Sequence, residues 1–281
     1  MSVDADPMTS GDTALKPLAP GPVFEIGRGS LRVSIAPQAG GRIAQIRRDG
    51  VEWLVGYDKD NAATIAWGCY PMLPWVGRLR RGRFKFAGNS YQLPLNLGGH
   101  AIHGIGFALP WSLDAQSPTS AELSLELPDD ARWPFGGVAR QRIAVGVSTL
   151  SMELEVSAGD HSMPVAIGWH PWFLKPEVVE FKPTHFYPRD KEDITTLPLH
   201  EASPPPPWDD CFINREPIVL CRSGQHLRLT SDCSHCVVYD VPAHATCVEP
   251  QTGPPDSFNL DQATHLGPGM SIRAKFTLEW L

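Results

Sequence analysis

The sequence has no uninterrupted apolar stretch of the length that a helix needs to cross a bilayer. Residues 1–22 also lack the basic start and continuous apolar segment of a secretory signal, because they mix small, acidic and Pro residues. These absences argue against a membrane protein and against a secreted one. We therefore expect a cytoplasmic protein that has no membrane partner.

Positive charge is also scarce. Lys and Arg number 24 against 31 Asp and Glu, which gives a formal net charge of −7. A protein that binds DNA or RNA phosphates needs clustered cations, so the sequence predicts no nucleic-acid partner. One basic run contains Arg78, Arg80, Arg81 and Arg83. We interpret all of them except Arg78 as solvated residues near a strand edge.

Cysteine is too sparse for a disulfide scaffold, with six residues spread over 281, and we expect reduced thiols. Cys233, Cys236, His244 and Cys247 nevertheless form a C-x2-C pair followed by an H-x2-C pair, and zinc accepts all of these ligands. The two pairs are close together for a structural zinc unit, and the intervening segment is typical of a strand. Thiols packed in the core explain the pattern better, so we predict no metal site.

Helical periodicity is nearly absent, and 28 Pro and 25 Gly would interrupt helices of ordinary length. Apolar residues instead alternate with polar ones, which is typical of strands that bury one face. Four segments show this alternation: Leu31, Val33 and Ile35; Leu123, Leu125 and Leu127; Leu150, Met152, Leu154 and Val156; and Ile272, Ala274, Phe276, Leu278 and Trp280.

A hairpin is predicted where Phe84 and Phe86 alternate with basic residues ahead of the turn segment AGNS, after which Tyr91 and Leu93 resume the pattern. Together these patterns predict an all-β fold, a large antiparallel β-sandwich. We expect a flexible tail over residues 1–22 and one catalytic β-sandwich domain over residues 23–281.

Two ionisable side chains stand in surroundings that suit chemistry. His170 is flanked by Trp169, Pro171 and Trp172, a setting that desolvates an imidazole and can hold its titration near neutral pH. Glu249 follows an apolar stretch and precedes a proline, so it ends a strand in an extended conformation. A buried His and a rim Glu remain the structural alternatives. Nine Trp could also line a cleft for sugar, because sugar CH faces stack on aromatic rings.

The polar segments, taken in order, resemble the aldose 1-epimerase family, the galactose mutarotases. The resemblance covers most of the chain from about Gly40 onward and rests on the set rather than on one motif. Five segments match: residues 74–78 with the G-R-F hairpin at 82–84, His103 with Gly104, G-x-H-P-W-F at 168–173, D-x-x-F at 209–212, and E-P-x-T at 249–252.

The resemblance implies a β-sandwich with a monosaccharide site on one sheet and no metal or organic cofactor. It assigns Glu249 as the general base and His170 as the general acid that open and reclose the ring, and it assigns Arg78, His103 and Asp209 to sugar hydroxyls. Such proton transfers need one acid and one base, which a His and a Glu supply. The sequence identifies no protein partner, and the enzyme could act as a monomer or a homodimer.

One departure from the family concerns Gly77, since the family commonly has Asn before the matched Arg. A hydroxyl contact is therefore missing or supplied elsewhere, which bears on the choice of sugar. Asp210 also competes with Asp209 for the binding role.

Three other functions stay open at this point. Hexose 6-phosphate epimerisation could use Arg80, Arg81 or Arg83 for the phosphate. Glycoside hydrolysis could pair Glu249 with an Asp. A carbohydrate-binding or sensing protein without turnover could keep the cleft alone.

Overall fold

A computed structural model describes residues 11–201 and 204–281 of the chain. The described residues form mainly strands, together with three single-turn 3-10 helices at Thr13–Leu15, Arg80–Gly82 and Gly106–Ala108. In chain order the strands are β1 (Phe24–Arg28), β2 (Leu31–Ala36), β3 (Arg42–Arg48), β4 (Val51–Glu52), β5 (Cys69–Met72), β6 (Arg78–Leu79), β7 (Arg83–Phe86), β8 (Asn89–Gln92), β9 (Ala101–Ile102), β10 (Ser112–Gln116), β11 (Ser120–Glu126), β12 (Asp129–Asp130), β13 (Trp133–Pro134), β14 (Val138–Val145), β15 (Thr149–Ser157), β16 (Met163–Val165), β17 (Gly168–Leu174), β18 (Val178–Glu180), β19 (His185–Phe186), β20 (His200–Glu201), β21 (Asp209–Ile213), β22 (Ile218–Arg222), β23 (Gln225–Ser231), β24 (His235–Tyr239), β25 (Ala245–Gln251), β26 (Thr264–Leu266) and β27 (Ser271–Trp280).

The alternating segments of the sequence become strands with one buried face. In β15 the side chains of Leu150, Met152, Leu154 and Val156 are buried, and the residues between them are exposed or half-buried. The predicted hairpin is β7 paired with β8, joined by a two-residue turn at Ala87 and Gly88. Period-two patterning thus located these elements correctly, because each strand covers the core with every second side chain.

Two large antiparallel sheets contain most of the strands in the described part of the chain. The larger sheet has eleven strands in the order β1-β2-β3-β5-β17-β25-β24-β21-β19-β20, with β4 paired to β3. The smaller has eight, in the order β10-β11-β14-β15-β27-β23-β22-β18. The predicted all-β, antiparallel fold class is confirmed.

The main core lies between the two sheets. Trp169 of β17 packs against Phe276 of β27, with ring centroids 5.9 Å apart. Trp53 meets Trp280 at the same separation. Because successive side chains of a strand point to opposite faces, burial of Trp169 in this core sends its neighbour His170 to the other face of the larger sheet. That outer face carries the candidate site.

Residues 1–10 of the expected N-terminal tail lie outside the described residues. Further along, Thr13–Leu15 contacts the sandwich: the Ala14 amide donates to the Asn96 carbonyl, and the Ala14 side chain is buried. The Leu18 amide donates to the Ala62 carbonyl. This stretch therefore differs from the mobile tail that we expected, because its backbone groups are paired with two loops of the domain. The boundary at residue 22 stays a prediction.

No helix among residues 11–201 and 204–281 has the length and apolar character required to span a membrane.

Arg42 is a fully buried cation that joins several loops. Its guanidinium donates hydrogen bonds to the carbonyls of Ala39, Thr64, Trp67 and Phe107. Among the described residues no carboxylate forms an ion pair with it, and burial lowers its pKa to about 10. These hydrogen bonds are buried, so this one side chain satisfies carbonyls that would otherwise lack a donor and connects separate loops.

We expect Arg42→Met to lower the free energy of unfolding by about 3 kcal/mol or more, because several buried carbonyls would lose their donor. Arg47→Met is the matched control: Arg47 forms an exposed ion pair with Glu52, so its loss should cost about 0.5 kcal/mol or less. Urea unfolding of the three proteins measures both values. Equal losses in the two variants would contradict the role assigned to Arg42.

Candidate functional site

Sheet register brings the two central residues of the sequence analysis together. Strands β17 and β25 are antiparallel neighbours, with Gly168 opposite Gln251 and Trp172 opposite Cys247. This register places His170 across from Glu249, on the same face of the sheet. The two side chains meet: His170 Nε2 lies 3.2 Å from Glu249 Oε1. Both are almost completely buried, at 4% and 3% exposure.

The His170 ring packs among other planar groups. The Tyr70 ring centroid lies 4.8 Å from it with the planes inclined by 26°, and the Trp172 ring centroid lies at 5.4 Å and 18°. Tyr70 also contacts the Arg42 guanidinium, and Trp172 also stacks on the His244 ring. These contacts restrict the imidazole, whose Nε2 lies against Glu249.

Burial sets the protonation of the pair. It raises the pKa of Glu249 well above its usual value, and the nearby Asp209 carboxylate raises it further. Burial also lowers the pKa of His170 to about 3. A hydrogen bond from Gln251 Nε2 to Glu249 Oε2, at 3.2 Å, partly offsets the rise in the pKa of Glu249. Desolvation thus disfavours both charges, and the pair holds one proton across a wide pH range.

A cavity of about 250 Å³ opens above the pair. Its lining is partly apolar and includes Ile65, Leu97 and Ile102. All five site residues predicted from the sequence line this cavity. The polar lining consists of Arg78, His103, His170, Arg189, Asp193, Thr195, Asp209, Asp210, Tyr239 and Glu249.

His103 reaches the cavity through an unusual backbone path. Its φ is +59°, and the next residue, Gly104, has φ +73°. Its ring meets the His170 ring edge-to-face at 4.9 Å, and burial lowers the pKa of His103 well below its usual value. Gly104 lies so close to the Leu73 carbonyl that an added Cβ would overlap its oxygen. Only glycine fits this contact, and the tight turn aims His103 at the pair.

Asp209 and Asp210 both line the cavity, and both approach Arg189. The Arg189 guanidinium donates to Asp209 Oδ2 at 2.8 Å, and its Nε lies 3.5 Å from Asp210 Oδ1. Of these two carboxylates, Asp209 is the one whose charge raises the pKa of Glu249. This arrangement favours Asp209 as the contact beside the acid–base pair.

Arg78 and Gly77 occupy the same rim. The Arg78 side chain is half-buried and lines the cavity, and no hydrogen bond or ion pair joins it to the described residues. Gly77 has φ +57°, and a Cβ there would lie 2.5 Å from the Pro255 ring. The Pro255 ring therefore occupies the space that a side chain would need at position 77, where the family commonly has Asn.

The other basic residues of the segment point elsewhere. Arg80 binds Asp190 at 2.6 Å, and Arg81 binds Glu192 at 2.8 Å. Arg83 instead donates to the Gln92 side chain. Acidic and amide partners of the protein itself thus occupy these cations, and none of the three lines the cavity.

Cys233, Cys236, His244 and Cys247, weighed as zinc ligands from the sequence, are not gathered into one group in the described part of the chain. Cys236 and Cys247 belong to paired strands but point to opposite faces. Cys236 and Cys233 contribute to the core between the sheets, whereas Cys247 lies on the outer side.

Comparison with known proteins identifies relatives of this chain. A family model for aldose 1-epimerase matches residues 22–279. The chain belongs to the aldose 1-epimerase family. Among curated relatives of this epimerase-family chain, the uncharacterised protein YphB of Escherichia coli (strain K12) is 31% identical over 163 residues, which is 55% of this chain and 53% of YphB. The uncharacterised YihR of the same strain is 30% identical over 36% of this chain and 34% of YihR. These matches span about half or less of the relatives' own length.

Solved structures share the fold of this epimerase-family chain. An Escherichia coli K12 protein provisionally named an aldose 1-epimerase superposes with a TM-score of 0.82 and 20% identity, over 92% of this chain and 99% of that one. A galactose 1-epimerase from Lactobacillus acidophilus NCFM gives 0.76 and 16%, over 92% and 94%. Identities this low show a common fold only. The substrate of this chain has to be inferred from its own site.

Several residues that line the cavity or contact the acid–base pair were not found from the sequence. Arg189, Asp193 and Thr195 come from an irregular loop that shows no periodicity, and Tyr70 lies far from His170 along the chain. Gln251 could have been found, because a residue two positions beyond Glu249 on one strand shares its face.

We expect Gly104→Ala to lower the free energy of unfolding by clearly more than the roughly 1–2 kcal/mol that a left-handed backbone costs an L-residue, since its Cβ would displace the Leu73 carbonyl. Gly99→Ala is the matched control: its φ is +79°, but nothing lies within 4 Å of the added Cβ. Urea denaturation compares them. If both variants lose the same stability, the close approach of Gly104 is not the constraint.

Proposed function

We propose that the protein is an aldose 1-epimerase that interconverts the α and β anomers of a free monosaccharide. The observation that carries the proposal is the contact between His170 and Glu249 at the floor of a cavity lined by Arg78, His103 and Asp209. A cavity of about 250 Å³ is smaller than the roughly 300–1,000 Å³ of drug-sized sites, so it suits one sugar ring better than an oligosaccharide.

The proposed reaction needs two proton transfers. Glu249 takes the proton of the anomeric hydroxyl while His170 donates one to the ring oxygen, and the bond between the ring oxygen and the anomeric carbon breaks. Rotation about the C1–C2 bond turns the aldehyde, and reclosure with the transfers reversed gives the other anomer. The enzyme regains its starting protonation, and no covalent intermediate forms.

The environment of the pair supports these roles. With these pKa shifts the single proton of the free pair lies on Glu249, so the reaction starts when this proton passes to His170. The carboxylate formed in this way is a strong base and the imidazolium a strong acid. His170 and Glu249 are in contact. A hemiacetal bound between them would give its hydroxyl proton to Glu249 and accept a proton from His170 at its ring oxygen. Stacking contacts with Tyr70 and Trp172 restrict the orientation of the His170 ring.

Arg78, His103 and Asp209 are proposed to bind the sugar hydroxyls and to retain the open-chain form. Arg78 has donors free of described protein partners, while the Asp209 carboxylate accepts from Arg189 and keeps further acceptor capacity. Arg189 therefore belongs with this set as the residue that orients Asp209.

The site gives less support to the other functions considered from the sequence. Arg80, Arg81 and Arg83, which a hexose 6-phosphate would require, lie outside the cavity with partners of their own. The direct partner of Glu249 is an imidazole, whereas glycoside hydrolysis uses two carboxyl groups. A binding protein would have no need for a buried acid–base pair, whose desolvation costs stability.

We expect Glu249→Gln and His170→Asn each to lower kcat/KM for mutarotation by about a hundred- to ten-thousand-fold, which is the usual contribution of a positioned proton transfer. Polarimetry, or the anomeric proton signals of freshly dissolved α-glucose and α-galactose, follows the reaction after subtraction of buffer catalysis. If neither sugar responds, xylose, arabinose and glucose 6-phosphate come next.

The matched controls are Glu25→Gln and His161→Asn, which make the same chemical changes at exposed positions. Both should keep the full rate. Undiminished mutarotation in either site variant would remove that residue from the mechanism.

The pH profile of kcat/KM should be bell-shaped with a broad maximum that includes neutral pH. Because the pKa of His170 is lowered to about 3, the pair takes up a second proton, which abolishes the base, only well below the usual His range. Because the pKa of Glu249 is raised, the pair loses its single proton only well above the usual Glu range. Rates measured from acid to alkaline pH test this, and an acid limb near the ordinary His value would contradict it.

A further inference from the structure

Cys247 lies beside the acid–base pair and takes no part in the proposed reaction. It is two residues from Glu249 on β25, so both side chains point to the outer face of the sheet. The ligand atoms of His170, Cys247 and Glu249 all lie within 4.8 Å of one another. All three residues are buried, and the cavity adjoins two of them.

The separation of His170 and Glu249 matches what a tetrahedral zinc ion requires, and Cys247 lies close to the position of a third ligand. Zinc binds His nitrogen and carboxylate oxygen at about 2.0–2.2 Å, which puts two such ligand atoms about 3.4 Å apart. The corresponding pair here, His170 Nε2 and Glu249 Oε1, is separated by 3.2 Å. A sulfur ligand at about 2.3 Å should lie about 3.6 Å from the others, whereas the present separations reach at most 4.8 Å, so Cys247 has to move closer by about 1.2 Å at most.

The donor set and its surroundings also favour zinc. An imidazole, a thiolate and a carboxylate are the three ligand types that zinc accepts, whereas magnesium and calcium prefer oxygen alone. The Asp209 carboxylate adds negative charge at the same cavity. The fourth position of the ion would face the cavity, where a water molecule can complete the tetrahedron.

We propose that His170, Glu249 and Cys247 form an inhibitory zinc site, which an ion entering from the cavity occupies in competition with sugar. The inhibition rests on the proposed epimerase function, because the ion ties up the base and the acid together. Zinc binds the thiolate, so the Cys247 proton leaves to solvent together with the proton of the pair. Removal of the ion by a chelator restores both groups.

Binding is tested first without any reference to activity. The protein, reduced and freed of metal, is titrated with CoCl₂ or CdCl₂, which replace zinc at such sites and give an ultraviolet charge-transfer band when a thiolate is a ligand. We expect a band that saturates at one ion per chain in the unmodified protein. We expect none in Cys247→Ala. Cys211→Ala is the matched control, because Cys211 lines the cavity but is outside the cluster.

Inhibition is tested next with ZnCl₂ in the mutarotation assay. Zinc should inhibit the unmodified protein and Cys211→Ala reversibly, and the inhibition should weaken as the sugar concentration rises. Cys247→Ala should keep its basal rate and need about tenfold more zinc or higher for the same inhibition.

Each result decides a separate question. A thiolate band that persists in Cys247→Ala, or no band in the unmodified protein, would overturn the site. A Cys247-dependent band with undiminished or stimulated mutarotation would overturn its inhibitory role. If the epimerase proposal is wrong, the metal-free protein will catalyse mutarotation of no sugar tested. The absorption titration does not depend on that activity and would still test the zinc site.

Discussion

The contact between His170 and Glu249 depends on sheet register. The two residues are 79 positions apart in the chain, but they lie opposite each other because β17 and β25 pair with Gly168 facing Gln251. A slip of one residue in this pairing would turn one side chain into the core and leave the other alone on the outer face. The large apolar residues that alternate with them, such as Trp169 in the core, fix the register and thereby fix the site.

Contacts with planar side chains restrict the acid. The Tyr70 and Trp172 rings both stack with His170, and Tyr70 in turn lies against Arg42, whose hydrogen bonds to four carbonyls connect the neighbouring loops. A buried cation and a buried acid–base pair both cost folding free energy. The extensive core between the sheets offsets that cost, so the fold tolerates a buried acid–base pair on the outer face of the larger sheet.

Much of this could be predicted from the sequence. Alternation predicted the strands, and the ordered motifs predicted which residues share a cavity, since Arg78, His103, His170, Asp209 and Glu249 all line it. Alternation is readable because it reflects a local property, the two faces of a single strand. The irregular loop that carries Arg189 has no such period, and its position depends on ion pairs to distant residues. No local rule of the sequence could have placed it.

By itself, then, the sequence determined the all-β class, the strands and the chemical types at the site, because each follows from short-range pattern or residue identity. The tertiary structure decided what depends on distance and burial. It separated Cys236 from Cys247 on opposite faces of paired strands and brought Cys247 to His170 and Glu249 instead. It also directed Arg80 and Arg81 to an acidic loop. Contacts between residues far apart in the chain depend on how the sheets pair and pack, and no segment encodes that alone.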